Sequence, residues 1–455
     1  MKADLLIKNG KVVTHVGQFE ADVVIQGEQI AGLVEPGAIQ AADQTIDAAG
    51  KLIFPGIFDS HVHFNEPGRE SWEGFATGSQ SAAAGGITTI MDMPLNSDPC
   101  TINKRELDRK IAAGELHSLV DFALWGGATP ENMADFEDLH TGGVGAFKAF
   151  LSYSGIDEFD NIPDGALIEI LHILGKLGNI LGLHAENDTL TSFLSTKLQQ
   201  AGRTDRKAFL ESRPPMVEAE AVNRVLFLAK KLESPGFLHF VHTSLAENVY
   251  AIAQARMQGL GVAVETCPHY LALTEEDFLT IGPVAKCAPA IRSVQEVEAL
   301  WDCVKRGMVD VIGSDHSPCP TEDKERGNEN IWRAWGGISG IQTMLPILFS
   351  EGVVKRQLSL PLLIGMMTSN PAKLFGLYPR KGTLLPGADA DLVVFDPDRQ
   401  WTLRQEDLFY KNPHSPFVGK TMTGAVEMTF RRGTLIYAHG EIKASGGGKY
   451  LRRQA

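Results

Sequence analysis

Four histidines and one aspartate of this chain fall at the ends of short apolar runs. His61 and His63 lie in IFDSHVHF (57–64), His184 in NILGLHAEN (179–187), His242 in FLHFVHTS (237–244) and Asp315 in VDVIGSDHSP (309–318). In a strand, residues two apart point to the same face, so the imidazoles of His61 and His63 share a direction. A lone histidine in such a place would be structural. Four of them, from a chain with 13 in all, converging with an aspartate, form a metal-site constellation.

The run GVGAFKAFLSYSG (143–155) sets Lys148 between Phe147 and Ala149, with Phe150 and Leu151 following. A cation is costly there unless it is paired or chemically changed. Taken alone, the run favours a strand-end lysine meeting a buried acid. The histidines and Asp315 reverse that preference. They suffice for two divalent ions if a further anion bridges the pair, because neighbouring cations repel. A protonated lysine would add to the repulsion. A lysine whose amine has taken up CO₂ is a carbamate, a carboxylate on a long stem. Apolar surroundings favour the neutral amine that this reaction needs. Zinc suits a histidine-rich site best, and cobalt or manganese fits the same geometry.

These residues need a frame that brings distant strand ends together. Eight runs read as buried strands: 57–64, 87–94, 120–127, 144–151, 179–187, 237–244, 262–271 and 309–318. Between most of them lie helical patterns, such as VEAEAVNRVLFLAKKL (217–232), with apolar residues at spacings of three and four. Alternating strands and helices predict an α/β chain with a TIM-like (β/α)₈ barrel, whose catalytic groups come from the C-terminal strand ends. Both chain ends carry short alternating strands with Gly and Pro turns, which join most simply into one small β-sandwich. The expected division is 1–53 for its N-terminal half, 54–379 for the metal-dependent barrel and 380–455 for its C-terminal half.

The 455 residues exceed one ordinary core but fit a large barrel plus an accessory domain. With 44% hydrophobic and 22% charged residues the composition is that of a soluble globular protein. A formal charge of −14 argues against nucleic-acid or anionic-membrane binding and leaves a small-molecule substrate. No segment reads as a signal peptide or membrane span. The five cysteines, odd in number and never in a C-x-x-C pair, fit a reducing cytoplasm and no disulfide framework.

The set DSHVHFNEPG, GAFKAF, GLHAEN, FVHTS and GSDHSP, with NPAKLFGL and KGTLLPGADADLVVFD, resembles the amidohydrolase superfamily and, within it, the cyclic amidohydrolases. The resemblance covers almost the whole chain. It implies that His61, His63, carboxylated Lys148 and Asp315 hold the more buried of two metals, and that Lys148, His184 and His242 hold the more exposed one. It implies further that a metal-activated hydroxide attacks a ring amide, that Asp315 shuttles the proton, and that the chain forms a homotetramer. Dihydroorotases carry an arginine in HLREPG, where this chain has Asn65 in HFNEPG, which suits a neutral ring. The stretches DMPLNSDP (92–99), WEGFATGSQSAAAGGITT, KCAPAIR and SDHSPC are similar to those of allantoinases, which implies hydrolysis of allantoin to allantoate in purine catabolism. Tyr153, five residues after Lys148, matches instead an oxyanion-binding tyrosine of hydantoinases and dihydropyrimidinases, the alternative reading. Asn96 and Ser317 are expected along the substrate pocket with Asn65. His269, His316 and Asp59 are expected to be structural or to support ligands. A metal-free scaffold relative would have lost ligands that are all present here.

Overall fold

The computed structural model describes residues 3–39 and 41–453. All eight expected barrel strands are present: Ile57–Val62, Ile87–Asp92, Asp121–Gly127, Ala146–Phe150, Ile180–His184, Phe237–Phe240, Val262–Thr266 and Val311–Ile312. They pair in parallel in chain order. Every residue of the first four is buried, which is why they read as unbroken apolar runs. The ring is closed by a parallel bridge between Val62 and His316, where the His63 N–H donates to the His316 carbonyl at 2.8 Å. Only two residues of the last run form a strand, and the chain then passes through Gly313. A Cβ at Gly313 would lie 3.0 Å from both His61 Cβ and Glu265 Cδ, so glycine relieves crowding where the eighth run approaches the first and seventh strands.

The helices follow the sequence pattern. Asp164–Leu177 buries Leu167, Ile170, Leu171 and Leu174, a stripe at spacings of three and four, and stops at Gly178 in the left-handed conformation (φ 64°). Ser293 caps Val294–Lys305 by accepting from the Glu296 N–H. Among the described residues no helix is long and apolar enough to cross a membrane.

The chain ends form two sheets. One has four strands in the order Gln29–Val34, Asp22–Gln26, Ala3–Lys8, Ala42–Asp47. The other has seven and joins both termini: Leu52–Pro55 lies parallel to Lys11–Thr14 and antiparallel to Leu392–Thr402. Leu5, Ile7, Val23 and Ile25 of the first sheet share a core with Val12, Ile53, Leu392 and Phe430 of the second, the expected sandwich. The last residues behave differently. The Phe122 N–H donates to Lys449 O at 3.0 Å and the Leu451 N–H to Phe122 O at 2.7 Å, so the tail runs back along the third barrel strand.

Sandwich and barrel also meet through a buried ion cluster. The Lys381 ammonium lies 2.6 Å from Asp121, 2.9 Å from Asp389 and 2.6 Å from Asp391, and Arg432 pairs with Asp121 as well. Asp121 opens the third barrel strand, and Asp391 immediately precedes a sandwich strand. Removing the cation would leave crowded buried carboxylates. Lys381→Met should therefore lower unfolding free energy by about 3 kcal/mol, read as a shifted denaturant midpoint.

Candidate metal centre and substrate cavity

The first and eighth strands aim three side chains at one point. His61 Nε2 and His63 Nε2 lie 3.2 and 3.4 Å from Asp315 Oδ1. The opposite ring nitrogens are fixed from behind: His61 Nδ1 is 2.7 Å from Glu265 Oε1 and His63 Nδ1 is 2.9 Å from the Leu95 carbonyl. A carbonyl can only accept, so His63 donates from Nδ1 and turns its Nε2 toward Asp315. His61 Nε2 is buried without a hydrogen-bond partner. Burial alone would raise the carboxyls of Asp315 and Glu265, yet the neighbouring histidines hold both well below the usual carboxylate range. Imidazole nitrogens converging with a carboxylate suit a divalent cation, which takes the place of any proton between them. His61, His63 and Asp315 are close enough together to hold one.

A second histidine pair stands beside the first. His184 Nδ1 faces His242 Nε2 at 3.0 Å, and the His61 and His242 ring centroids are 5.5 Å apart. The far nitrogen of His184 is 2.9 Å from Glu186 Oε2, which also takes Arg213 Nη1 at 2.5 Å. Burial, reinforced by the Lys148 charge, pushes His242 well below its ordinary value. Lys148 itself is fully buried, and its Nζ has no hydrogen-bond partner. The nearest aromatic face is Phe150, 4.8 Å away. Burial moves the amine down to about 8. The expected second ligand set thus differs from the first. Two of its members face each other, but the third is an amine, which while protonated offers a cation no lone pair.

A cavity of about 410 Å³ opens over these residues, and Tyr153, Asn96 and Ser317 line it with them. Tyr153 is half-exposed, and its hydroxyl donates to Asp157 Oδ1 at 2.9 Å rather than turning toward the imidazoles. Asn65 is not on the cavity wall. It is fully buried behind it, accepting from Asn96 Nδ2 at 3.4 Å and donating to the Pro318 carbonyl at 3.5 Å. The reason is its left-handed backbone (φ 65°), which turns the chain after the histidine pair. His316 accepts from the Gly340 N–H through Nδ1 at 3.2 Å and packs on Tyr410, away from the cavity. His269 lies against Tyr270 and close to Asp315. Asp59 accepts from the backbone of His61 at 3.2 Å and of Ser314 at 2.9 Å, tying together the two strands that carry the first ligand set.

Glu265, Glu186, Arg213 and Lys286 were not singled out from the sequence. Glu265 carried a readable signal: an acid inside the apolar run VAVET, as anomalous as Lys148 in its own run.

The sequence profile of the Amidohydrolase family matches residues 52–436. This chain belongs to that family. The amidohydrolase is 42% identical over 453 residues to an allantoinase of Solibacter usitatus, covering 100% of this chain and 98% of that one. It is 42% identical to an allantoinase of Rubrobacter xylanophilus, with 99% and 98% covered. Among solved structures, an L-hydantoinase (dihydropyrimidinase) from Arthrobacter aurescens superposes with a TM-score of 0.96 at 37% identity, covering 99% of this chain and 100% of that one. A D-hydantoinase from a Thermus species superposes with a TM-score of 0.90 at 29% identity, with 99% of each chain covered.

Glu265→Gln keeps an acceptor behind His61 but removes its charge, which lowers the basicity of the imidazole. Metal affinity should fall about 10- to 100-fold, measured by chelator competition, and excess metal should restore lost activity.

Proposed function

We propose that this amidohydrolase opens the hydantoin ring of allantoin by hydrolysing its ring amide to give allantoate. What carries the reading is the convergence of His61, His63 and Asp315 on a small-molecule cavity, in a chain 42% identical over its whole length to allantoinases. A cavity of about 410 Å³ suits a single small ring with a short arm.

Lys148 is read as a carbamate. The ammonium first releases one proton. The neutral amine then attacks CO₂, a new N–C bond forms as one C–O π bond of CO₂ opens, and a second proton leaves to solvent, so the side chain passes from a cation to an anion. The partnerless buried Nζ and its lowered basicity support this reading. His61, His63, Lys148 and Asp315 would hold one divalent ion, and Lys148, His184 and His242 a second, with zinc first and cobalt or manganese as substitutes. Such ions, when bound, acidify water and polarise a carbonyl. Asp315 accepts the proton of the attacking water and delivers it to the ring nitrogen as the C–N bond breaks. Tyr153, turned from Asp157 toward the cavity, donates to the developing oxyanion. Asn96 and Ser317 contact the ring, and Asn65 holds Asn96 in place. The division at 53/54 and 379/380, a homotetramer and a cytoplasmic location belong to the same proposal; five free, buried cysteines support the last.

The alternative is a hydantoinase or dihydropyrimidinase, favoured by Tyr153 at the cavity and by the TM-score of 0.96 to an L-hydantoinase. Parallel assays on allantoin, hydantoin and dihydrouracil separate the two. The expected result is the highest kcat/KM on allantoin, and a clear preference for dihydrouracil would overturn it. Asp315→Asn should lower kcat by about 10²- to 10⁴-fold from loss of the general base, measured on metal-loaded protein; near-normal turnover would exclude the shuttle.

A further inference from the structure

Two cations on the cavity wall have no part in the chemistry above. Lys286 and Arg213 both line the cavity, and both lie over the ring of Phe209, at 5.0 and 5.7 Å from its centroid. Lys286 is only 7% exposed and, among the described residues, is in no ion pair. Its ammonium donates to the carbonyls of Ile331 at 2.9 Å and Ala334 at 2.6 Å, which uses two of its three N–H groups. Arg213 gives Nη1 to Glu186, while its Nε is buried without a partner.

A buried cation satisfied only by neutral carbonyls is an expensive arrangement. Burial, then the charges of Lys324 and Arg213, push Lys286 down to about 7. Lys324 supports the neighbouring backbone at other carbonyls, those of Lys286, Trp335 and Gly337, and does not line the cavity. What Lys286 adds is a remaining N–H on a wall of the cavity, with the Arg213 guanidinium over the same Phe209 ring. The Arg213 charge is already matched by Glu186, so this wall offers hydrogen-bond donors more than a net double charge. Such donors fit one carbonyl oxygen, which has two lone pairs. The place also suits a substituent of the reacting ring, because Arg213, Glu186 and His184 form one hydrogen-bonded chain from this wall to the candidate ligands.

We infer that Lys286, with Arg213 beside it over Phe209, is a subsite donating hydrogen bonds to the carbonyl oxygen of the ring's side arm, the ureido group in allantoin. This rests on the allantoin reading above. It makes Lys286 a specificity-determining residue that acts on the arm and not on the amide being cleaved. A site built to hydrogen-bond a substrate group discriminates against an analogue that lacks it.

The test is the ratio of kcat/KM on allantoin to kcat/KM on unsubstituted hydantoin, measured on the metal-loaded enzyme for wild type and Lys286→Met. Loss of a charged hydrogen bond to the arm should lower that ratio by about 10- to 100-fold, chiefly through KM on allantoin. Lys286→Gln keeps donors for the wall carbonyls but loses the ammonium. It should lower the ratio in the same direction, and it carries the comparison if the Met variant does not fold. An equal loss on both substrates would mean that Lys286 only supports the wall, and would overturn the subsite. An unchanged ratio would overturn it as well. Wild-type protein that turns over hydantoin but not allantoin would overturn the allantoin reading itself and the subsite with it.

Discussion

A positive charge cannot be left at the heart of a metal centre, and the site is arranged around that constraint. Lys148 is fully buried with a partnerless Nζ; burial lowers His61, His184 and His242, the Lys148 charge comes next for His242, and for His61 and His184 it adds a smaller push against the neighbouring carboxylates. As an ammonium it repels the cations that those histidines and Asp315 are placed to bind. As a carbamate it would attract them and add a second anion to the single one, Asp315, that the five other side chains offer. The burial that makes the ammonium costly also keeps the amine close to the neutral form that reacts with CO₂.

The rest of the molecule holds the other ligands to that one point. Glu265 fixes His61, Leu95 O fixes His63, and Glu186 fixes His184, so each ring presents one chosen nitrogen. His242 and Asp315 have left-handed backbones, with φ of 39° and 46°. Such residues cost of order 1–3 kcal/mol each and persist where the surrounding structure over-determines them. Here the barrel provides that restraint: the Thr243 N–H donates to Glu265 O at 2.7 Å and the His63 N–H to His316 O at 2.8 Å. Asp59 ties the first strand to the eighth through Ser314.

The sequence pointed to this cluster because each candidate ligand is a polar residue ending an apolar run, and a parallel barrel places such ends on one rim. For the same reason all eight strands were legible, down to the two-residue Val311–Ile312. Less could be read where position depends on loops packed from afar. Asn65 was expected at the ring because it stands where dihydroorotases carry a substrate-gripping arginine, but its left-handed turn puts it behind Asn96. Arg213 and Lys286 are ordinary cations in helical or loop sequence, and only the folded chain sets both over Phe209. The return of Lys449–Leu451 along the third barrel strand is equally silent in the sequence, since three glycines followed by Lys449, Arg452 and Arg453 name no partner.

The claim on which the account turns is covalent, and isotopic labelling tests it directly. Protein reconstituted with zinc in ¹³C-bicarbonate should carry one slowly exchanging carbamate carbon per chain in its ¹³C NMR spectrum. The signal should be absent from Lys148→Ala prepared in the same way. Fully active, metal-loaded protein with no labelled carbon would leave Lys148 a plain buried amine and contradict the account.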